Sequence, residues 1–153
     1  MTGVSVIICC YNSETRIQKT LEYLEKQEIS DDLSFEILIV DNGSQDKTKE
    51  VAKNYWRSQK IPLRIIDETT PGQANARITG LRNARYEFCT FIDDDNHVNS
   101  VWIATVFDIL VTKKDVAACG GKGIAIFEGE EPYWFKHYQS SYTIGPQAPK
   151  SGY

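Results

Sequence analysis

Apolar, β-branched runs alternate with segments of helical spacing along most of this chain, and that alternation leaves few folds open. Val4 to Cys10 is a continuous run that reads as a strand buried on both faces. Asn12 and Ser13 follow, with Ser13 a candidate N-cap, and then Ile17, Leu21 and Leu24 recur at helical spacing. Asp31 and Asp32 break the chain before a second strand, Phe35 to Val40, and a second helix runs from about Asp46 to Arg57. Pro62 to Ile66 is a third strand, and Ala74, Ile78, Leu81 and Ala84 mark a third helix. Glu87 to Ile92 is the fourth strand, Val101 to Val111 an amphipathic helix, and Val116 to Cys119 the start of a fifth strand closed by Gly120 and Gly121. Such alternation means βαβ units with right-handed crossovers, and hence a Rossmann-like α/β fold: a mostly parallel sheet flanked by helices.

In parallel sheets of this kind, ligands bind outside the carboxyl ends of the strands, near the switch in strand order. The predicted strands release Tyr11-Asn12, Asp41-Asn42, Asp67-Glu68 and Asp93-Asp94-Asp95 at that edge. The last set is the most telling. Three consecutive carboxylates follow directly on the apolar stretch Phe88 to Ile92. Packed closely, carboxylates raise each other's pKa unless a cation compensates. A hard divalent ion, Mg²⁺ or Mn²⁺, takes oxygen ligands and bridges one or two carboxylates to substrate phosphates. The plainer alternative is a polar Asp/Asn turn after a strand.

The net charge of −4 and the lack of any Lys/Arg block argue against a nucleic-acid surface, so an anionic ligand needs a metal or a few local cations. There is no Gly-x-Gly-x-x-Gly and no Walker lysine to cradle phosphates. No apolar run approaches membrane-spanning length, which leads us to expect a cytoplasmic domain, peripheral to the inner membrane face if other parts attach it. Cys9, Cys10, Cys89 and Cys119 lie in or at the end of apolar runs without metal spacing, and read as reduced, buried small hydrophobes. His97 and His137 are too scattered for a zinc site; a solvated loop histidine is the default for His97. From about Glu128 the chain changes character, with Pro132-Tyr133-Trp134-Phe135 following three glutamates. That aromatic cluster either covers the sheet or stacks on a sugar ring. We expect a core over 1–127 and the incomplete start of a second region over 128–153.

Four ordered blocks make the chain resemble a family 2 glycosyltransferase of the GT-A fold. VSVIICCYN (Val4 to Asn12) is similar to the opening strand of that family, with Cys9 in place of the usual proline. EILIVDNGSQDKT (Glu36 to Thr48) matches its second strand and Asp-x-Gly-Ser-x-Asp-x-Thr turn. PGQANARITG (Pro71 to Gly80) resembles its Gly…Ala-Arg-Asn-x-Gly helix, with Ile78 where Asn is customary, and FIDDDN (Phe91 to Asn96) fits the Asp-x-Asp metal signature.

The resemblance implies transfer of a sugar, with inversion, from a nucleotide diphosphate sugar, a UDP-sugar foremost, to a hydroxyl of a carbohydrate or lipid-linked acceptor. Tyr11 and Asn12 would lie along the nucleoside, Asp41 would accept from the base, and Arg77 would approach the phosphates. Asp93 would serve ribose and metal, Asp95 the metal, and Asp94 is grouped with the donor-binding residues; Glu14 and Glu68 would border the nucleoside or the sugar. Alternatives stay open residue by residue: a surface cation for Arg77, an Asx turn for Asp41, and a helix cap, the favoured reading, for Asp46. The family's base is an Asp downstream of the fifth strand. No match precedes Tyr153, so the expectation is the donor-binding portion of a longer enzyme, with apolar surface left open to self-association. A non-catalytic nucleotide-sugar-binding module is the rival from another class. A nucleotidyltransferase ranks lower, because CCYNSETR offers only Arg16 as a phosphate cation. A glycoside hydrolase needs two carboxylates flanking the bond, which neighbours on one chain end do not provide.

Overall fold

β1 (Val4–Cys10) is the hub of a parallel four-stranded sheet in the order β3-β2-β1-β4. It pairs with β2 (Phe35–Asp41) on one side and β4 (Phe88–Phe91) on the other, while β3 (Leu63–Asp67) extends the sheet beyond β2. The computed structural model describes residues 1–58, 60–142 and 144–145. The chain divides into two compact units, Met1–Val116 and Ala117–Tyr153.

The strand order follows from chain direction and handedness. From β1 to β3 the chain moves one way, through α1 (Ile17–Glu25) and α2 (Thr48–Tyr55). It then returns through α3 (Gln73–Asn83) to set β4 beside β1. Right-handed crossovers in opposite directions must lie on opposite faces. Accordingly Ile17, Leu21 and Leu24 of α1, Ala52 of α2 and Ile103 of α4 (Trp102–Thr112) bury one face with Val6, Ile8 and Ile39. Ala76 of α3 buries the other with Ile7, Leu38 and Val40. β2 is buried along its whole length, as the apolar stretch Ile37 to Val40 requires, and it takes the carboxylates of Glu36 and Asp41 in with it. The switch in strand order falls between β1 and β4.

α3 differs from its sequence reading. Ile78 and Leu81 are exposed, and Ala76 and Gly80 are the buried positions. The reason is close approach. A Cβ on Gly80 would stand 2.5 Å from Ile7 Cγ2, so only a small-residue stripe lets this helix lie down on the sheet. Val116 to Cys119 is not a strand: Ala117, Ala118 and Cys119 are exposed, and two alanines bring neither β-branching nor bulk to hold a pairing. Cys119 is therefore an exposed thiol rather than a buried one, while Cys10 is buried and Cys9 and Cys89 half-buried.

In the second unit Gly123 bridges Gly145, and two short 3-10 turns occupy Phe135–His137 and Gln139–Tyr142. Phe135 is its buried centre, edge-on to Phe127 at 4.8 Å and packed on Trp134 and Tyr142, whereas Tyr133 faces solvent. The end of the predicted second region lies outside the described residues.

Candidate functional site

Parallel register fixes which side chains can share an edge. Cys10, Asp41 and Asp67 stand in one row at the carboxyl ends of β1, β2 and β3. Ile92 N donates to Ile7 O at 3.1 Å, so the acidic run leaves β4 beside the end of β1. Above these ends lies an open hollow of about 220 Å³, floored by Cys9, Cys10 and Ala76 and walled by Tyr11, Arg16, Asn42, Gln73 and Asp94.

Two cysteines on its floor register the surrounding charges. Burial first of all pushes the Cys9 thiol up to about 11, with Arg77 opposing and Asp93 adding to the shift. The Cys10 thiol is raised further, again chiefly by burial and then by Asp94, with Asp41 also contributing. Arg16 is raised by its hydrogen bond to Asp94 and, more weakly, by Asp95. Of the residues predicted for the site, Tyr11 and Asp94 line the hollow, whereas Asp41, Arg77, Asp93 and Asp95 are not among its lining residues. Neither cysteine is a nucleophile at neutral pH.

The first two loops are knitted together. Asn12, in the left-handed region at φ 50, donates from its backbone to Ser44 Oγ (3.0 Å) and accepts from Gln45 N (2.8 Å) on its side chain. Ser13 N donates to Thr48 Oγ1 (2.7 Å), Glu14 N to Asp46 Oδ2 (3.0 Å), and Lys47 N to Glu14 Oε2 (2.9 Å). Asp46 also takes Thr48 N at 3.0 Å, and although desolvation opposes it, this set of hydrogen bonds holds its carboxyl below the usual range. The N-cap of α2 is Lys47 rather than Asp46; Asp46, one residue earlier, accepts from Thr48 N and ties the start of the helix to the β1 loop. Ser13 is not the N-cap of α1. Its carbonyl accepts from Arg16 N and Ile17 N, and its hydroxyl donates to Asp94. Glu14 stands in this clasp, and Tyr11 beside it is 60% exposed over the hollow.

Asp41 is buried. Its Oδ2 accepts from Ser44 N at 3.3 Å and lies 3.7 Å from Lys49 Nζ, while Oδ1 has no hydrogen-bond partner among the described residues. Lys49 in turn pairs with Asp67 at 2.8 Å. Asn42, which sequence reasoning did not single out as more than a strand end, pins the next loop: its amide donates to Glu68 O and Thr70 O and accepts from Gly72 N, all within 2.9 Å. Glu68 is held inside that loop by Thr79 Oγ1 and Thr70 N, which lower its pKa.

The three aspartates separate into two kinds. Asp94 turns inward to Ser13 and to Arg16 (2.8 Å), and its carbonyl takes Thr20 Oγ1. Asp93 and Asp95 are exposed, and Asp93 Oδ1 lies 3.6 Å from Arg77 Nη2. His97 stacks on Tyr23 at 4.6 Å, a packing contact rather than a free loop histidine. Among the described residues no three His, Cys, Asp or Glu side chains converge as a metal cluster. Two exposed, hard carboxylates on alternate residues nevertheless fit an ion such as Mg²⁺ or Mn²⁺, which takes few protein ligands and completes its shell with substrate phosphate and water.

A mostly parallel sheet flanked by helices in this way has the GT-A fold, and solved glycosyltransferase structures share it. TarS 1-349 of S. aureus in complex with UDP-GlcNAc is 32% identical with a TM-score of 0.58, over 72% of this chain and 30% of that one. The mannosyltransferase PcManGT of Pyrobaculum calidifontis, in complex with GDP-Man and Mn²⁺, is 30% identical with a TM-score of 0.55, over 60% of this chain and 27% of that one. The chain belongs to glycosyl transferase family 2, whose sequence profile matches residues 5–150. Among curated relatives, the glycosyltransferase EpsJ of Bacillus subtilis is 30% identical over 118 residues, 76% of this chain and 33% of that protein. The chain spans well under half the length of the curated relatives it matches. Among the described residues no helix is long and apolar enough to cross a membrane.

Proposed function

We propose that this chain binds the nucleotide-sugar donor, a UDP-sugar, for metal-dependent, inverting transfer to an acceptor hydroxyl of a carbohydrate or lipid-linked glycan. The observation that carries the proposal is the unpaired Oδ1 of buried Asp41. A buried carboxylate oxygen without a donor is costly, and a ligand N–H relieves that cost. Its other oxygen is engaged by Ser44 N, so one acceptor is left, closed off from solvent until a base displaces what covers it. Uracil brings one ring N–H between two carbonyls. Guanine brings two adjacent donors, which suit a carboxylate with both oxygens free.

In this reading Tyr11 lies against the nucleoside, and Asn12 and Glu14 hold the loop that carries it. Asp94 keeps Arg16 and Ser13 in place at the rim, Arg77 meets the diphosphate, and Asp93 and Asp95 hold the divalent ion. When bound, that ion supplies Lewis-acid stabilisation of negative charge on the leaving diphosphate. The chain's own residues bind and orient the donor and screen its charge at an otherwise acidic edge. The TarS and PcManGT complexes, one with UDP-GlcNAc and one with GDP-Man and Mn²⁺, support donor binding at this fold and leave the base to be decided by Asp41. For partners, the exposed Ile78 and Leu81 on α3 are the surface through which we propose self-association. Residues 128–153 would open the acceptor-side region, and attachment to the inner membrane face would be peripheral.

Calorimetric titration with UDP and GDP, both with Mn²⁺, tests the choice of base. UDP should bind at least about tenfold more tightly, the worth of one well-made hydrogen bond to a charged group. Equal affinities would remove the argument from Asp41.

A further inference from the structure

We infer that Arg77 and an incoming divalent cation compete for the same Asp93 carboxylate, so that Arg77 restrains metal uptake until a donor diphosphate draws it away. The inference rests on the metal reading above and goes beyond it, because it gives one residue opposite effects on two ligands.

The geometry is local and well braced. Arg77 projects from α3, whose position over the sheet is set by the close contact of Gly80 with Ile7. Its guanidinium lies over the ring of Phe91, 5.4 Å from the centroid, at the last residue of β4. From there Nη2 reaches Asp93 Oδ1 at 3.6 Å, two residues further along the chain. Stacking on an aromatic face suits a planar guanidinium better than an ammonium, so Phe91 holds the charge at this spot. The ion pair is half-exposed on both sides, 45% for Arg77 and 53% for Asp93, and such pairs are weak. A weak partner is displaceable. It still adds a positive charge beside the oxygen that a cation would use, and like charges this close repel.

A diphosphate changes the balance. Its oxygens offer the guanidinium a bidentate partner with more charge than one carboxylate. Arg77 then leaves Asp93 for the phosphate, and the oxygen it vacates is available to the ion. Donor and metal therefore bind with positive coupling, and by linkage each raises the affinity of the other equally.

The test compares wild type, Arg77→Gln and Arg77→Lys by the electron paramagnetic resonance signal of free Mn²⁺, with and without UDP. Arg77→Gln should take up Mn²⁺ alone about 2- to 5-fold more tightly, the range of an exposed ion pair. It should bind UDP with Mn²⁺ about tenfold or more weakly, the loss of a charge-assisted contact to phosphate. Arg77→Lys should fall between wild type and Arg77→Gln in Mn²⁺ uptake, because a charge remains but Phe91 no longer holds it as well beside Asp93. A merely structural role would weaken both ligands together, and that outcome overturns the inference. So does an Arg77→Gln chain that takes up Mn²⁺ alone no better than wild type. If wild type takes up no Mn²⁺ even with UDP, the metal reading itself fails and this inference with it; Mn²⁺ uptake with UDP but no gain in Arg77→Gln defeats the inference alone.

Discussion

Glu36→Ala should cost the chain about 3 kcal/mol of stability, the lower end for a broken buried ion pair. Glu36 is fully buried near the start of β2, in register with Ser5 of β1. Its carboxylate accepts from Ser5 Oγ (2.9 Å), Arg85 N (2.9 Å) and Arg64 Nη1 (3.0 Å), with Arg85 Nε 3.6 Å away. Removing it leaves two arginines facing a cavity and the Arg85 N–H with only Ser5 Oγ, at 3.2 Å, to accept from it. Arg64 and Arg85 are partly exposed and can turn toward water, which keeps the loss from the top of the range. The network sits at the amino end of the strands, opposite the hollow. Urea unfolding should show the lower midpoint, and UDP affinity of the folded protein should stay within about twofold, as expected for sites without shared partners. A loss below about 1 kcal/mol would mean that the pair contributes no more than a surface bridge.

Asp41→Ala should do the reverse. Deleting a buried carboxylate whose Oδ1 has no partner removes a cost as well as contacts to Ser44 and Lys49, so stability should change by less than about 1 kcal/mol. UDP binding should fall about 10- to 150-fold, the worth of a hydrogen bond to a charged acceptor. The two variants together separate folding from binding. Calorimetry and thermal melting on each give the four numbers needed. Undiminished UDP affinity in Asp41→Ala would take the base away from Asp41.

What the sequence made legible follows from how local each feature is. β1 and β2 have long apolar runs and are readable to within a residue, and the buried face of α1 is readable from Ile17, Leu21 and Leu24, although the helix starts three residues later than a cap at Ser13 implies. The shared polar edge was readable too, because parallel strands all end on one side. α3 was read by its large residues, although a close helix-to-sheet approach selects small ones, Ala76 and Gly80. Hydrogen bonds between distant segments left no local mark. Ser13 bonding to Asp94 spans 81 positions, and the signature around Asp41 to Thr48 gives Ser44, Asp46 and Thr48 to loop knitting rather than to a ligand. Glu36 looked like an ordinary strand residue because its partners come from β1, β3 and the loop after α3. Asp93 to Asp95 read as one acidic run, yet only the first and last face outward; their alternation along the chain is the signal that separates them.

The most direct measurement is calorimetric titration of UDP into wild type and Asp95→Ala, each with Mn²⁺ and with chelator. Wild type should bind UDP with Mn²⁺ and lose about a hundredfold or more of that affinity with chelator or in Asp95→Ala, as expected when a metal bridge to phosphate is removed. UDP binding of equal strength in all four titrations would mean that no divalent ion joins Asp95 to the donor.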